Sequence, residues 1–170
     1  HSFQSYPEHG MKAIMPFIKE AAEECGSTLE NFGPFLFGHP FKIRDCMMEA
    51  HVKSVPIIKS ILKNNQPVGV TLSIMDYQAA EDGEEMRDKA YAESVDCCLD
   101  QIVNDDFVGV QMYTRHTYGP DGIIKPKADD PNMLVMGYEY YPESLENVVR
   151  YVSSKIKTPI MITENGIGTD

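Results

Sequence analysis

The segment "PIMITENGIGTD" (159–170) decides the fold, because it joins an apolar run directly to a polar cluster. The run at 160–163 consists of apolar and β-branched residues after a proline, which is typical of a strand with both faces covered. Glu164 and Asn165 follow at the C-terminal end of that strand. Because α/β proteins carry their chemistry at this end of a parallel strand, Glu164 is a candidate reactive residue.

Strand and helix patterns alternate along the rest of the chain. The predicted elements are helices at 11–25 and 45–62, a strand at 67–75, a helix at 84–104, a strand at 106–114, a helix at 142–156 and a strand at 159–163. Crossovers of this length join parallel strands in a right-handed sense. The pattern fits either an open doubly wound sheet or a portion of a (β/α)8 TIM barrel, with about three parallel strands and flanking helices. We predict an α/β chain that forms a single domain over residues 1–170.

The connection at 115–141 is long and rich in glycine and proline. Connections of this length are usually functional or disordered, and on a barrel they form the rim of the active site. We expect an unstructured excursion there, at the C-terminal end of the preceding strand. Pro142 and Ser144 are predicted to cap the helix that follows.

The composition is that of an ordinary globular protein, with 42% hydrophobic and 24% charged residues in a chain of 170. The formal net charge is −11, and the pI is near 4.8. This acidity argues against nucleic acid and against an anionic membrane as partners, because both require a basic face. We find no apolar run long enough to span a bilayer and no export signal, so we expect a cytoplasmic protein.

The four cysteines lie at Cys25, Cys46, Cys97 and Cys98, and none of their spacings is typical of a zinc site. We therefore expect no metal and no other cofactor. In a reducing compartment, cysteines without such spacing are expected to be small buried hydrophobic residues.

Five stretches carry a family resemblance when they are taken in chain order. They are "EAHVKSV" (49–55), "VGVTLSIMDYQAAEDGEEMRDKA" (68–90), "DFVGVQMYT" (106–114), "MGYEYYPESL" (136–145) and "ITENG" (162–166). Together they resemble glycoside hydrolase family 1, the retaining β-glucosidases and 6-phospho-β-glucosidases, over about residues 45–170. The resemblance implies a (β/α)8 barrel in which 106–114 is strand six and the final strand is strand seven.

The resemblance also implies roles for three residues. Glu164 would be the nucleophile of a retaining glycosidase, whose two carboxyl groups lie about 5 to 5.5 Å apart. Tyr113 would donate its hydroxyl to that nucleophile, so we expect the two side chains to meet at the ends of adjacent strands. Gln111 stands where the family motif has an asparagine, and we predict it to be a substrate-binding residue.

The acid/base carboxyl has no counterpart in the sequence. The family carries it in a "T-x-N-E-P" motif, which this chain lacks. Glu30 lies in "STLENF" (27–32), which has some of these residue types in another order, and we expect it to be a surface residue. Glu139 is expected on the rim of the site, and His51 is expected to be a packed or partly exposed residue of a helix.

Asn165 and Gly166 are predicted to shape the exit from the last strand, because both residue types tolerate left-handed backbone conformations.

The length of the chain is compatible with three interpretations of how it relates to a complete barrel. A complete barrel takes about 250 residues, and the strands expected before residue 67 and after the last one are missing, as is any tryptophan. The chain is therefore a fragment, a partner of a complementary chain, or a truncated product. One functional reading is a retaining β-glycosidase acting on a β-glycoside. The other is a non-catalytic barrel remnant that binds sugar, a complementary chain or itself through exposed sheet edges.

Overall fold

The computed structural model describes residues 8–32, 40–127 and 129–168. The chain divides into two compact units, His1–Ser54 and Val55–Asp170, and each is described here by itself. That the whole chain forms one domain stays a prediction. In the described part of the chain, none of the helices combines the length and the apolar character needed to cross a bilayer.

The N-terminal unit is helical in its described residues. Helix α1 (Glu8–Glu24) comes first, and helix α2 (Pro40–Ile61) begins in this unit and continues past its boundary. Ile18 and Ala22 of α1 are buried four residues apart, so they share one face of the helix. The two helices predicted at 11–25 and 45–62 are confirmed, with start positions a few residues earlier.

The C-terminal unit alternates strands and helices. Its described elements are β1 (Gly69–Ser73), β2 (Asp76–Ala79), α3 (Glu84–Tyr91), a π-helical turn (Ala92–Asp96), α4 (Cys97–Leu99), β3 (Phe107–Met112), β4 (Arg115–Gly119), β5 (Gly122–Ile124), α5 (Glu143–Lys155) and β6 (Ile160–Asn165). Strands β1, β3 and β6 form a parallel sheet in that order. The three predicted parallel strands and their order are thereby confirmed, and the unit is a mixed α/β structure.

Helix α5 covers one face of this sheet. Val148 and Val152 of α5 are fully buried, and α5 packs against β3 and β6. Val108 and Val110 of β3 are fully buried too, and alternation along the strand puts them on the same face. The opposite face carries residues such as Gly109, and an added Cβ there would meet the side chains of Thr71 and Thr163. Small and polar residues therefore surround Gly109 on this opposite face.

A second sheet takes up the first part, 115–124, of the connection at 115–141 that the sequence predicted to be unstructured; the described residues after 124 carry no further strand or helix before α5. Strand β2 pairs in parallel with β4, and β4 pairs antiparallel with β5 across a tight turn. An isolated bridge also joins Met133 and Glu139. The prediction was wrong because these strands are three to five residues long and are held by pairing with distant segments, which local periodicity does not reveal.

The predicted helix at 84–104 is shorter than expected and is interrupted. Its i→i−4 pattern widens into the π-helical turn and ends at Leu99. Beyond that residue the amides of Gln101 and Ile102 reach back only three residues, which tightens and ends the helix. Ile102 is fully buried, so the apolar pattern that extended the prediction reflects core packing after the helix.

Ser144 does not cap α5 as predicted. The helix starts at Glu143 with Pro142 at its N-cap and no side-chain capping bond. Ser144 lies inside the first turn, fully buried, and its hydroxyl has no hydrogen-bond partner among the described residues. Pro142 fits its position because its missing N–H costs nothing at a helix start.

Strand β6 is more exposed than a strand with both faces covered. Met161 is 50% exposed and Ile162 is 42% exposed. The reason is position, because among the described strands only β3 pairs with β6, which therefore lies at a sheet edge. The strand also extends past the predicted end at residue 163 to include Glu164 and Asn165.

The cysteines differ from the expectation of uniform burial. Cys25 and Cys46 are exposed, Cys97 is half-buried, and only Cys98 is buried. Cys25 follows the last residue of α1, and Cys46 lies on a solvent-facing position of α2, where nothing in the apolar pattern requires a buried side chain.

Candidate functional site

A β-bulge at the end of β6 decides where Glu164 points. Val110 of β3 pairs with Ile162, but the next residue, Gln111, pairs with Glu164, so Thr163 is the extra residue. In an unbroken register Glu164 would oppose Met112, whose side chain is buried on the other face. The bulge therefore turns the Glu164 side chain to the face that carries Gln111.

Two neutral donors hold the Glu164 carboxylate. The Tyr113 hydroxyl donates to Oε2, and the Gln111 side-chain amide donates to Oε1. The predicted contact between Tyr113 and Glu164 at adjacent strand ends is confirmed. With one donor on each oxygen, the side chain is fixed in one rotamer while the residue itself stays exposed. Such an arrangement orients both carboxylate oxygens, and neither of these two donors carries a positive charge.

The contact has a consequence for Tyr113. Its hydrogen bond to Glu164, followed by burial and by the negative charge of that carboxylate, raises the pKa of Tyr113 to about 12. The phenol therefore remains a protonated donor throughout the neutral range.

We expect Glu164→Gln to lower the pKa of Tyr113 toward its ordinary value of about 10, because a neutral amide no longer penalises the phenolate. At pH 11 the ionised fraction of Tyr113 would rise from about one tenth to about nine tenths, which ¹³Cζ-tyrosine NMR measures directly. The Tyr113→Phe variant assigns the signal. Since the folded-state pKa is raised, this contact stabilises the fold fully below about pH 10, and its contribution is lost as pH rises through about 12. An unchanged pKa in Glu164→Gln would contradict the assigned contact.

Behind Tyr113, an ion pair joins two segments. Arg115 donates from Nε to Glu139 Oε2 at 2.9 Å and from Nη2 to Oε1 at 2.6 Å. Both side chains are mostly buried, with 26% and 15% of their surfaces exposed. Glu139 was expected on the rim; the structure instead places its carboxylate in this pair.

The residue before Arg115 binds the same segment. The Thr114 hydroxyl donates to the Glu139 carbonyl at 3.0 Å and accepts from the Glu139 amide at 3.1 Å. Next to Glu139, Tyr138 stacks on Tyr113 with ring centroids 6.1 Å apart. Sequence reasoning missed Thr114, Arg115 and Tyr138. For Thr114 and Arg115 the available signal was their position just after the end of β3.

A polar chain continues from Arg115 into the second sheet. Arg115 Nη1 donates to Gln78 Oε1 at 3.1 Å, and Gln78 Nε2 donates to Asp76 Oδ2 at 2.8 Å. Asp76 is buried and also accepts from Asn147 of α5 at 2.9 Å. The ion pair is thus anchored to both β2 and α5.

A cavity of about 250 Å³ opens beside Tyr113. Tyr140 and Tyr141 contribute to its wall, as does Asn165 from β6. No member of this wall carries a charge. The cavity and the Glu164 carboxylate therefore share Tyr113 as a common boundary.

Asn165 and Gly166 do not act as predicted. Neither has a left-handed backbone conformation, and Asn165 continues strand β6. Its side-chain amide donates to the Met112 carbonyl at 2.7 Å, which replaces a ladder bond beyond the end of β3. Asn165 thus closes the strand pair rather than opening a turn.

The remaining candidates lie in the N-terminal unit. Glu30 is an exposed surface residue 3.5 Å from Lys42 Nζ, as expected. His51 lies on helix α2 and is half-buried. Within 8–32, 40–127 and 129–168, no group of three His, Cys, Asp or Glu side chains is arranged to hold a metal ion.

Solved structures with a similar fold include β-glycosidases and β-glucosidases. The β-glycosidase BGL167 is 33% identical over 91% of this chain, with a TM-score of 0.79, and β-glucosidase 1317 is 27% identical over 99%, with a TM-score of 0.81. A β-glucosidase from Thermotoga maritima, solved with glucoimidazole, shares the fold at 18% identity over 77% of this chain and a TM-score of 0.64. These likenesses support a structural relationship to glycosidases.

The match covers only part of each relative. The chain spans 37% of BGL167, 40% of β-glucosidase 1317 and 38% of the Thermotoga maritima enzyme. No protein-family model matches the chain, and no curated protein matches it significantly.

Proposed function

We propose that this chain is the nucleophile-bearing part of a retaining β-glycosidase of the glycoside hydrolase family 1 type, built on a (β/α)8 barrel. The observation that carries the proposal is the Glu164 carboxylate, turned by a bulge to the open face of a parallel sheet and held on both oxygens by Tyr113 and Gln111. The similarity to β-glycosidases over most of this chain supports the same conclusion.

The proposed chemistry assigns one role to each member of this group. Glu164 attacks the anomeric carbon of a β-glycoside, and the bond from that carbon to the leaving oxygen breaks as a glycosyl ester forms. Tyr113 keeps its proton and donates to Oε2. Oε1, or a lone pair of Oε2 that Tyr113 does not use, then faces the sugar. Gln111 fixes the other oxygen, and on this proposal its amide also lies within reach of the bound sugar. Water then hydrolyses the ester with help from a second carboxyl.

The second carboxyl has no assigned residue here, because the motif that carries it in the family is absent from this sequence. Without an acid to protonate the leaving oxygen, a poor leaving group departs slowly. We therefore propose that the chain acts within a longer glycosidase and that the isolated 170 residues turn over unactivated glycosides little or not at all. The substrate class we assign is a β-linked glucoside, galactoside or its 6-phosphate, hydrolysed in the cytoplasm.

Labelling by a mechanism-based inhibitor tests the assignment of Glu164. A 2,4-dinitrophenyl 2-deoxy-2-fluoro-β-glucoside needs no acid for departure of its leaving group, and the fluorine slows hydrolysis of the ester, so the nucleophile stays labelled. We expect the full encoded polypeptide to gain one fluoroglucosyl mass, located on Glu164 by peptide mapping.

Two controls make the labelling decisive. Glu164→Gln should take up no label, whereas Glu146→Gln, which alters a surface carboxylate on α5, should be labelled as the parent is. A label on another residue, or none on the full polypeptide, would refute the nucleophile.

A second candidate function is favoured by the exposed edge of β6. An unpaired parallel edge with exposed Met161 and Ile162 can bind a strand from another chain. On this alternative the chain is a non-catalytic barrel remnant that binds sugar or associates with a complementary chain or itself. Sedimentation of the 170-residue chain would then show assembly, and glycoside labelling would be absent.

A further inference from the structure

Tyr113 lies just beyond the backbone ladder of its strand. Strand β3 ends at Met112, and the backbone on either side of Tyr113 is held by bonds to the Met112 and Thr114 carbonyls. The Tyr113 ring is half-buried and stacks on the Tyr138 ring, with the centroids 6.1 Å apart and the planes inclined by 22°. With the backbone held, the stacking on Tyr138 is the ring contact that orients the Tyr113 side chain and its hydroxyl.

The segment that carries Tyr138 is held through its neighbour Glu139. Thr114 binds the Glu139 main chain on both its N–H and its carbonyl, while Arg115 binds both carboxylate oxygens. Main-chain and side-chain contacts together leave Glu139 one position relative to the end of β3. A planar guanidinium suits this task because its donors form a rigid fork that matches a carboxylate.

Arg115 is itself fixed on its remaining sides. Its guanidinium lies 3.8 Å from the centroid of the Tyr141 ring, and its third nitrogen donates to Gln78. Because each of its three nitrogens has an acceptor, the side chain has one favourable arrangement. Contacts to β2 and to the segment at 138–141 thereby fix Arg115, and through that segment they determine the position of the ring that stacks on Tyr113.

We propose that Arg115 is a positioning residue for the candidate nucleophile. Through its two-pronged ion pair with Glu139 it holds Tyr138 against Tyr113, and so directs the Tyr113 hydroxyl at Glu164. The inference rests on the proposed function of Glu164 for its catalytic meaning. The positioning itself is measurable without any turnover.

Arg115→Lys is the informative variant, because it replaces the two-pronged fork by a single nitrogen. At pH 11, above the ordinary lysine pKa of about 10.4, it also removes most of the positive charge, and that loss disfavours the phenolate, so a rise in ionisation reports a lost hydrogen bond. The readout is the ionised fraction of Tyr113 at pH 11 in the 170-residue chain, measured by ¹³Cζ-tyrosine NMR. A misdirected hydroxyl loses its bond to Glu164, so we expect this fraction to rise several-fold. Arg150→Ala is the matched control, since Arg150 forms an ion pair with Glu146 at the exposed surface of α5.

Each outcome decides the proposal. A rise in Arg115→Lys with no change in Arg150→Ala supports it. No rise in Arg115→Lys, or an equal rise in both variants, overturns it. Arg115→Lys should also unfold at a denaturant midpoint close to that of the parent, which excludes general destabilisation of the fold as the cause. If it unfolds at a much lower denaturant concentration, Glu139→Gln takes its place in the same measurement, because that variant keeps one acceptor oxygen for Arg115.

The catalytic consequence has a separate measurement. In the full encoded polypeptide, Arg115→Lys should slow fluoroglucoside labelling by about 10- to 100-fold, since a displacement of about 1 Å can cost that much, while affinity for the sugar changes little. Labelling on Glu164 that proceeds at the parent rate overturns the positioning role. Failure of the parent to label Glu164 at all refutes the proposed function instead, and the Tyr113 titration then still reports on Arg115.

Discussion

Glu164→Gln is expected to reduce glycoside hydrolysis by the full encoded polypeptide by about 10⁴-fold or more, because an amide cannot form the glycosyl ester. The substitution is nearly isosteric. Its oxygen can accept from the Gln111 amide, and its nitrogen can donate to the Tyr113 oxygen, so both contacts of the native side chain have a replacement. The fold should therefore remain intact, which circular dichroism and the unfolding midpoint would show.

Initial rates with an activated aryl β-glucoside measure this loss. Glu146→Gln is the matched control, because Glu146 is an exposed carboxylate in the first turn of α5 and should leave the rate at the parent value. If Glu164→Gln retains more than a small fraction of the activity, Glu164 is not the nucleophile.

Gly83→Ala is expected to destabilise the fold by about 3 kcal/mol. A Cβ on Gly83 would lie 1.9 Å from the Tyr118 carbonyl oxygen and 3.1 Å from the Gly119 Cα. Both atoms belong to the main chain of β4, so no side-chain rotation relieves the collision. Relief requires β4 to move away from the start of α3, which would also strain the bond from the Ala80 amide to the same carbonyl.

The backbone conformation at Gly83 makes the experiment clean. Its φ of −98° is ordinary for alanine, so steric exclusion alone produces the loss. Gly166→Ala is the control, since nothing lies within 4 Å of its Cβ, and we expect its free energy of unfolding to change by less than about 1 kcal/mol. Urea unfolding of both variants provides the comparison. Equal stabilities would mean that β4 does not approach α3 as described.

The parallel sheet could be predicted because its information is local. Each of its strands is a short apolar run after a turn or a helix, and the crossovers are long enough to allow only parallel pairing. The contact between Tyr113 and Glu164 was also predictable, because both residues stand at the C-terminal ends of strands that are neighbours in the sheet. Equivalent ends of adjacent parallel strands must meet.

The second sheet could not be predicted, for a physical reason. Strand β4 has five residues and gains its stability from β2, which lies some 36 residues earlier in the chain, and from β5. Its glycine and proline neighbours form the turn to β5. In the sequence, these residues favoured the interpretation of 115–141 as an unstructured connection. A strand of this length has too few side chains for alternation to be visible.

The ion pair behind Tyr113 was missed for a related reason. Arg115 and Glu139 are 24 residues apart, and the sequence led us to expect Glu139 on the rim and to assign no role to Arg115. Charge identity alone does not tell an exposed side chain from one that is mostly buried, because burial is a property of the packed segments around it. The bulge at Thr163 could not be predicted from the hydrophobic pattern either, because one extra residue in a short strand changes neither its pattern nor its composition noticeably.

That single extra residue makes the spacing of the chain a determinant of the site. Because β6 alternates its side chains between two faces, the present sequence would turn the carboxylate to the face of Met112 if it paired in an unbroken register. A chain shortened by Thr163 would instead keep Glu164 opposite Gln111 without a bulge. Substitution at position 163 leaves the count unchanged and keeps Glu164 on the open side. Among relatives of this chain, a strand with a bulge and a strand one residue shorter at this point should therefore both keep the carboxylate beside Gln111, and Thr163 itself performs no chemistry.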